Sequence, residues 1–259
     1  MLRSKKIACV IPARLKSSRF PGKMLASLKG KPLLQWVFEA AKSVSFFDHV
    51  VFAVDAEEIA ALVGSFGGKF YMTSEKCPSG TDRLIELIQR KVIDADIWVN
   101  WQGDEPFITA GMIEDLLQSC HEKESDLWTL KKLIEDPGEI ASPHHVKVVT
   151  DAHDFALYFS RSPIPFYRDA DSGAARKYFK HVGLYAYRRE ALEKIAKLSP
   201  CEIELAEQLE QLRFLYNGLK VRVHETKGEA FGIDLPEHLA QAEAYTQRAC
   251  KLKTPLDCV

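Results

Sequence analysis

The chain has 259 residues, 46% of them hydrophobic, with a formal net charge of -1 at pH 7 and a pI near 6.7. That length buries a sizeable core. The missing basic excess excludes a wholesale binder of nucleic acid or of a membrane surface, so any charge that matters must be local.

In chain order, "KIACVIPA" (6–13) is short, apolar and rich in branched residues, as a strand buried on both faces of a parallel sheet should be. Its five-residue apolar core, followed by Pro12 and Arg14, is too short for a signal-peptide core. No apolar run approaches the ~20 residues of a membrane helix, so the expected location is the cytoplasm. "PLLQWVFEAAKSV" opens with Pro32 and predicts a helix whose apolar face carries Leu33, Val37, Ala40, Ala41 and Val44. "HVVFAVD" predicts a second buried strand ending in an acid, and "EEIAALVGSFGG" a helix stopped by glycines. "KFYM", a helix over about 80–91, the strand "DIWVNWQGD" and the helix "AGMIEDLLQSC" continue the alternation. This βα repeat predicts an α/β three-layer sandwich over a mostly parallel sheet, Rossmann-like in its layers.

After about Leu130 the rhythm changes. "HVKVVTDAHDFALYFS" predicts two strands joined by a turn, followed by a long loop over 161–178, the strand "HVGLYAYR", two helices, the strand "LKVRVHE", and a last helix from about Pro236. The expected organisation is one domain over 1–259 with a small antiparallel hairpin lobe at about 131–190. The six cysteines include no CxxC pair, so neither a zinc nor a redox motif is written here.

Ligands of open α/β sheets bind beyond the carboxyl ends of the strands. The first strand runs into "IPARLKSSRFPGK" (11–23), and no acid occurs before Glu39, while Arg14, Lys16, Arg19, Lys23, Lys29 and Lys31 fall within 18 positions. Lys16, Lys29 and Lys31 read equally well as a solvated face. Arg14 lies at a strand exit, and Lys23 follows Pro21-Gly22, a turn that lets backbone approach a ligand closely. Cations beside exposed N–H groups suit a polyphosphate. The loop is neither a Walker A sequence nor GxGxxG.

The fourth strand ends in "QGDEP" (102–106). Carboxylates there suit Mg²⁺, which takes one or two and completes its shell with phosphate oxygens; a plain surface turn is the alternative. Asp234 in "FGIDLPEHL" offers a further acid or a helix N-cap. Two DAD triplets, Asp94 to Asp96 and Asp169 to Asp171, match a metal-binding DxD pattern. The first precedes its strand and the second lies in a polar loop, so neither is assigned a metal, nor is the pair His144-His145.

"IPARLKSSRFPGK", "SGTDR", "VNWQGDEP", "ALYFSRSPIP", "HVGLYAYR" and "LAEQLEQLR" occur in the order and spacing of the 3-deoxy-manno-octulosonate cytidylyltransferases, and the chain resembles that family from roughly Ile7 to Leu239. The resemblance implies a nucleotidyltransferase fold, a homodimer, and the use of CTP, 3-deoxy-D-manno-octulosonate (Kdo) and Mg²⁺ for lipopolysaccharide synthesis. It implies that Arg14, Ser17, Arg19 and Lys23 bind CTP, with Arg14 and Lys23 on the triphosphate, and that Gln102 and Asp104 form the QGD element. Asp104 is then a Mg²⁺ ligand joined by Asp234. Arg83, Arg161, His181, Tyr185, Glu210 and Gln211 fall where the family contacts the sugar acid. Bland alternatives stand beside three of these: a helix surface for Arg83, core packing for Tyr185 and a solvated helix for Glu210. Cys77-Pro78 departs from the family's commoner His-Gln and leaves Kdo against its 8-amino variant open. A neuraminate cytidylyltransferase and a non-catalytic nucleotide sensor are the rival readings.

Overall fold

The computed structural model describes residues 5–17, 19–168 and 176–252, with side chains as far as residue 246. A single twisted sheet organises them. The first strand, β1 (Ile7–Ala13), is buried at every position, and its side chains alternate between two cores: Ile7, Cys9 and Ile11 face one, Ala8 and Val10 the other. That two-sided burial is why its sequence reads as a continuous apolar run.

A tiny hairpin follows, β2 (Ser27–Leu28) against β3 (Lys31–Pro32), turned by Lys29 and Gly30 at φ 52° and 77°. Next come α1 (Leu33–Lys42), β4 (His49–Val54), α2 (Glu57–Ser65), β5 (Lys69–Met72), α3 (Gly80–Gln89), β6 (Ile97–Asn100) and α4 (Ala110–Leu117). Each was expected, within a few residues at its ends. β4 and β6 flank β1 in parallel and β5 extends β4, so the cationic loop and the QGD turn leave adjacent strands on the same edge.

The second half holds two corrections. "LWTLKKL" forms β7 (Leu127–Leu133), a central strand absent from the predicted elements. Three helices rather than two follow β10 (Phe179–Arg188): α6 (Arg189–Ile195), α7 (Glu202–Glu207) and α8 (Gln211–Tyr216). Gln208 breaks α7 from α8 by turning left-handed at φ 53°. A short α5 (Pro137–Ile140) precedes the expected hairpin of β8 (Lys147–Thr150) and β9 (Ala156–Ser160). β11 (Val221–Glu225) and α9 (Glu237–Leu252) complete the order.

The main path runs β11-β7-β10-β6-β1-β4-β5, with β8 attached to β10 and β9 to β8. Ladders are parallel except where β10 pairs with β6 and β7 and where the hairpin joins. α1, α2 and α4 pack on one face; α3, α6 and α8 pack on the other, which makes the three layers. The cleft lies at the carboxyl ends of β1 and β6, where antiparallel β10 interrupts the parallel order.

Candidate active site

The cleft holds about 510 Å³ and is walled by both halves of the sheet. The first wall comes from the cationic loop. Arg14 is exposed there and forms no ion pair among the described residues, while Ser17 and Arg19 lie further along the same wall. Gly22 takes φ 70°, a left-handed conformation natural to glycine, and turns the chain into a 3-10 turn, Lys23–Leu25, that carries Lys23 inward. Lys23 is only 7% exposed.

The floor is the QGD turn. Gly103 has no room for a side chain: a Cβ would stand 2.9 Å from Leu34 Cδ2 and 3.0 Å from the Pro12 carbonyl. The turn therefore lies flat on β1 and presents Asp104 upward. Lys23 Nζ donates to Asp104 Oδ2 in a short contact and to Asp234 Oδ1 at 3.2 Å, and Arg19 reaches the same Asp234 oxygen at 2.9 Å. Two acids 130 positions apart thus converge on one cationic group. Asp234 is no helix cap, since its carboxylate faces Lys23 and Arg19 and α9 begins only at Glu237.

Glu105, to which the sequence pattern assigns no role, points into the same cluster. Its Oε2 is sealed from solvent and unpartnered among the described residues. Burial, then the carboxylates of Asp104 and Asp234, push its pKa up to about 8. The signal was present in the sequence as the second of two consecutive acids in "QGDEP". With the Glu105 carboxyl held neutral near pH 7, the remaining carboxylates of the cluster are Asp104 and Asp234, and their partners are Lys23 and Arg19. Two carboxylates that accept a cation at the cleft floor are donors of the kind Mg²⁺ takes. No group of three or more His, Cys, Asp or Glu among the described residues forms a metal cage. Mg²⁺ with one or two carboxylates needs none.

α3 supplies the third wall. Ser79 caps it, accepting from Asp82 N while the Asp82 carboxylate accepts from Ser79 N. Glu210 reaches across from the turn between α7 and α8 and accepts from Ser79 Oγ at 2.8 Å and Thr81 Oγ1 at 2.6 Å. Burial raises its pKa despite those bonds, so it is no solvated helix residue. Arg83 is likewise no surface residue. It is 2% exposed, pairs with Asp55 at 2.8 Å and donates to Thr73 Oγ1 at 2.6 Å, with one edge on the cleft. Gln102 donates to Asn100 Oδ1 at 3.2 Å.

The remaining expected residues stand outside the cleft's immediate lining. His181 and Tyr185 lie on β10 on either side of Gly183, which does line it. Burial drops the His181 pKa to about 3, leaving a neutral ring whose Nε2 lies 2.9 Å from Thr129 Oγ1. Tyr185 packs on Tyr187 with ring centroids 5.7 Å apart, and its buried hydroxyl has no hydrogen-bond partner among the described residues. Gln211 is buried in the first turn of α8. Arg161 spends its guanidinium on the carbonyls of Pro143 (2.9 Å), Glu207 (2.7 Å) and Gln208 (3.4 Å), one from each nitrogen. Cys77 and Pro78 do line the cleft; burial, then a bond to Glu86, push the Cys77 thiol up to about 11, so it stays protonated. Asp94 pairs with Lys6 and Arg189 on the surface, and Asp169 to Asp171 lie outside the described residues.

A three-layer fold with a cationic loop, a cluster of acids and a cleft at the strand ends defines the nucleotidyltransferase class. A structure from Bacillus anthracis solved with sucrose and assigned to the glucose-1-phosphate thymidylyltransferases shares the fold, at TM-score 0.64 and 16% identity over 93% of this chain and 95% of that one. The cytidylyltransferase family model matches residues 8–223. The 3-deoxy-manno-octulosonate cytidylyltransferases of Geotalea daltonii and Geobacter sulfurreducens are each 47% identical, covering 90% of this chain and 95% and 96% of those proteins. A solved CMP:2-keto-3-deoxy-manno-octonic acid synthetase complexed with CTP superposes at TM-score 0.88 with 41% identity, over 94% of this chain and 99% of that one. The chain belongs to the 3-deoxy-manno-octulosonate cytidylyltransferase family.

Proposed function

We propose that this protein joins CTP and Kdo to give CMP-Kdo and pyrophosphate, the activated sugar for lipopolysaccharide synthesis. The observation that carries the reading is the meeting of Lys23, Asp104 and Asp234 under the cationic loop, in a cleft roomy enough for a nucleotide. Arg14, Ser17, Arg19 and Lys23 bind CTP, with Arg14 and Lys23 on the triphosphate, where they offset the charge that gathers on departing pyrophosphate. The anomeric hydroxyl of Kdo attacks the α-phosphorus in line, so positioning and electrostatics supply the rate and no nucleophilic side chain is required. Asp104 and Asp234 would hold Mg²⁺, which would supply charge neutralisation for the phosphate oxygens. Lys23 stands between those two acids and the cationic loop, within reach of the same cleft.

Gln102 stays with Asp104 in the QGD turn, while Arg83 and the β10 side of the cleft, with His181 and Tyr185, receive the sugar acid. Glu210 and Gln211 complete that side, and Arg161 offers its remaining N–H groups to the carboxylate. The lobe at about 131–190 contacts a second copy in a homodimer, which the exposed Leu157 and Phe166 support. No helix among the described residues is long and apolar enough to cross a membrane, in keeping with a cytoplasmic enzyme. Pyrophosphate release over a panel of nucleotides and sugar acids tests the reading. Release should require CTP together with Kdo or its 8-amino analogue; release with a neuraminate instead, or CTP binding with no release, would replace it by one of its rivals.

A further inference from the structure

Asp104 and Asp234 reach the cleft by unequal routes. Asp104 lies in the short turn after β6 (Ile97–Asn100), whose ladder to β1 fixes where it emerges, with Gly103 pressed on Pro12 and Leu34. Asp234 arrives on a segment without helix or strand, residues 226–234, lying between β11 and α9. One backbone bond joins the two positions, Ile233 N to the Asp104 carbonyl at 2.9 Å. A single bond at a cleft edge does not fix the spacing of two carboxylates to the few tenths of an ångström that a small, octahedral dication demands.

A small separate core sits beside this bond. Phe107, three residues after Asp104, stacks on Phe231, three residues before Asp234, with centroids 4.8 Å apart and planes at 27°. Tyr245, two turns into α9, closes on both rings, edge-on to Phe107 at 4.6 Å and to Phe231 at 5.9 Å. Phe107 is 9% exposed and Ile233 is fully buried in the same cluster. None of the three rings lines the cleft. Each acid is thus tethered by an aromatic anchor at the same sequence distance, and the two anchors are locked together by one residue of the C-terminal helix.

We propose that Tyr245 is a positioning residue that sets the spacing of Asp104 and Asp234 through Phe107 and Phe231, so that divalent-cation affinity is tuned from α9. This rests on the reading of Asp104 and Asp234 as the cation's ligands. Groups that orient metal ligands from outside the coordination shell typically change metal affinity by about 10–100-fold when removed.

The test is titration of the protein with Mn²⁺ alone, followed by the electron paramagnetic resonance signal of free Mn²⁺, with activity against Mg²⁺ concentration as the second readout. Tyr245→Ala should weaken Mn²⁺ by about tenfold. It should raise the Mg²⁺ concentration for half-maximal rate in proportion, with kcat recovered at saturating Mg²⁺ and the KM for CTP there unchanged. Tyr245→Phe, which keeps the ring, should behave as wild type. A purely structural tyrosine would lower the melting temperature and leave the Mn²⁺ affinity of the folded protein unmoved, and that result overturns the proposal. Asp104→Asn is the control: if it loses Mn²⁺ binding while Tyr245→Ala does not, the brace is wrong and the metal reading stands. If Asp104→Asn binds Mn²⁺ as wild type does, the metal reading fails and the brace with it.

Discussion

The two sides of the cleft solve the placement of polar groups in opposite ways. On the parallel side, at the ends of β1 and β6, the functional groups are charged and hold one another: Lys23 with Asp104 and Asp234, and Arg19 with Asp234. On the antiparallel side, along β10 and the α7–α8 turn, they are neutral or bound to neutral partners: His181 on Thr129, Tyr185 against Tyr187, Glu210 on the hydroxyls of Ser79 and Thr81. Ion pairs between loops can open and re-form around an incoming polyphosphate and cation. Buried hydroxyls, rings and carbonyl-bound arginine cannot rearrange cheaply, and they suit a rigid ring of hydroxyls. One side is built for charge and the other for shape.

The largest effect that would break this comparison lies in the acid pair. Asp104→Asn and Asp234→Asn should each lower the rate of pyrophosphate release by roughly 10²-fold or more, with the melting temperature retained. Asparagine keeps an oxygen that accepts from Lys23 and Arg19 but gives up the charge, so an Asp234 that only ties the loop would lose stability rather than rate. Lys23→Ala should lower kcat/KM for CTP by on the order of 10²-fold, the scale of one well-placed charge-stabilising group. An unchanged kcat/KM would take the triphosphate away from Lys23.

These residues were legible because charge is conspicuous. An acid-free run of six cations and a doublet of acids stand out in any sequence, and β1, β4 and β6 announce themselves by two-sided burial. β7 did not, although it is the middle of the antiparallel half. Its "LKK" looks like a solvated end, yet Lys131 is only 7% exposed, its ammonium held by Thr150 at 2.9 Å and Asp154 at 2.8 Å. A buried lysine with distant partners leaves no local trace. The α7–α8 break at Gln208 was hidden for a similar reason, because a left-handed glutamine gives none of the warning that a glycine would. Glu105 was visible as a residue but not as a participant, since its role depends on Asp234, which only the fold brings near.

Burial on the shape-reading half has a consequence in pH. His224, on β11, lies 2.8 Å from Ser119 Oγ, and burial followed by the nearby Arg222 drops its pKa to about 4. The unfolded chain therefore binds a proton here that the folded protein refuses, between about pH 6.5 and 4. Stability is present above that window and is lost as pH falls through it, at up to about 1.4 kcal/mol per pH unit. His224→Gln should flatten the loss by close to one proton's worth, measured by urea unfolding at several pH values. A slope unchanged by the substitution would mean that His224 does not refuse the proton.

The division between charge and shape is tested most directly by comparing which substrate each side serves. Pyrophosphate release is measured with CTP varied at saturating Kdo, and with Kdo varied at saturating CTP, for wild type, Lys23→Ala and Arg161→Lys. A lysine cannot bridge the carbonyls that the Arg161 guanidinium holds and still present N–H groups to a carboxylate. Arg161→Lys should therefore raise the KM for Kdo by about tenfold, the scale of one charge-assisted hydrogen bond, and leave that for CTP near wild type. Lys23→Ala should do the reverse. Both variants raising the same KM, or Arg161→Lys raising only that for CTP, would contradict a cleft divided into a nucleotide side and a sugar side.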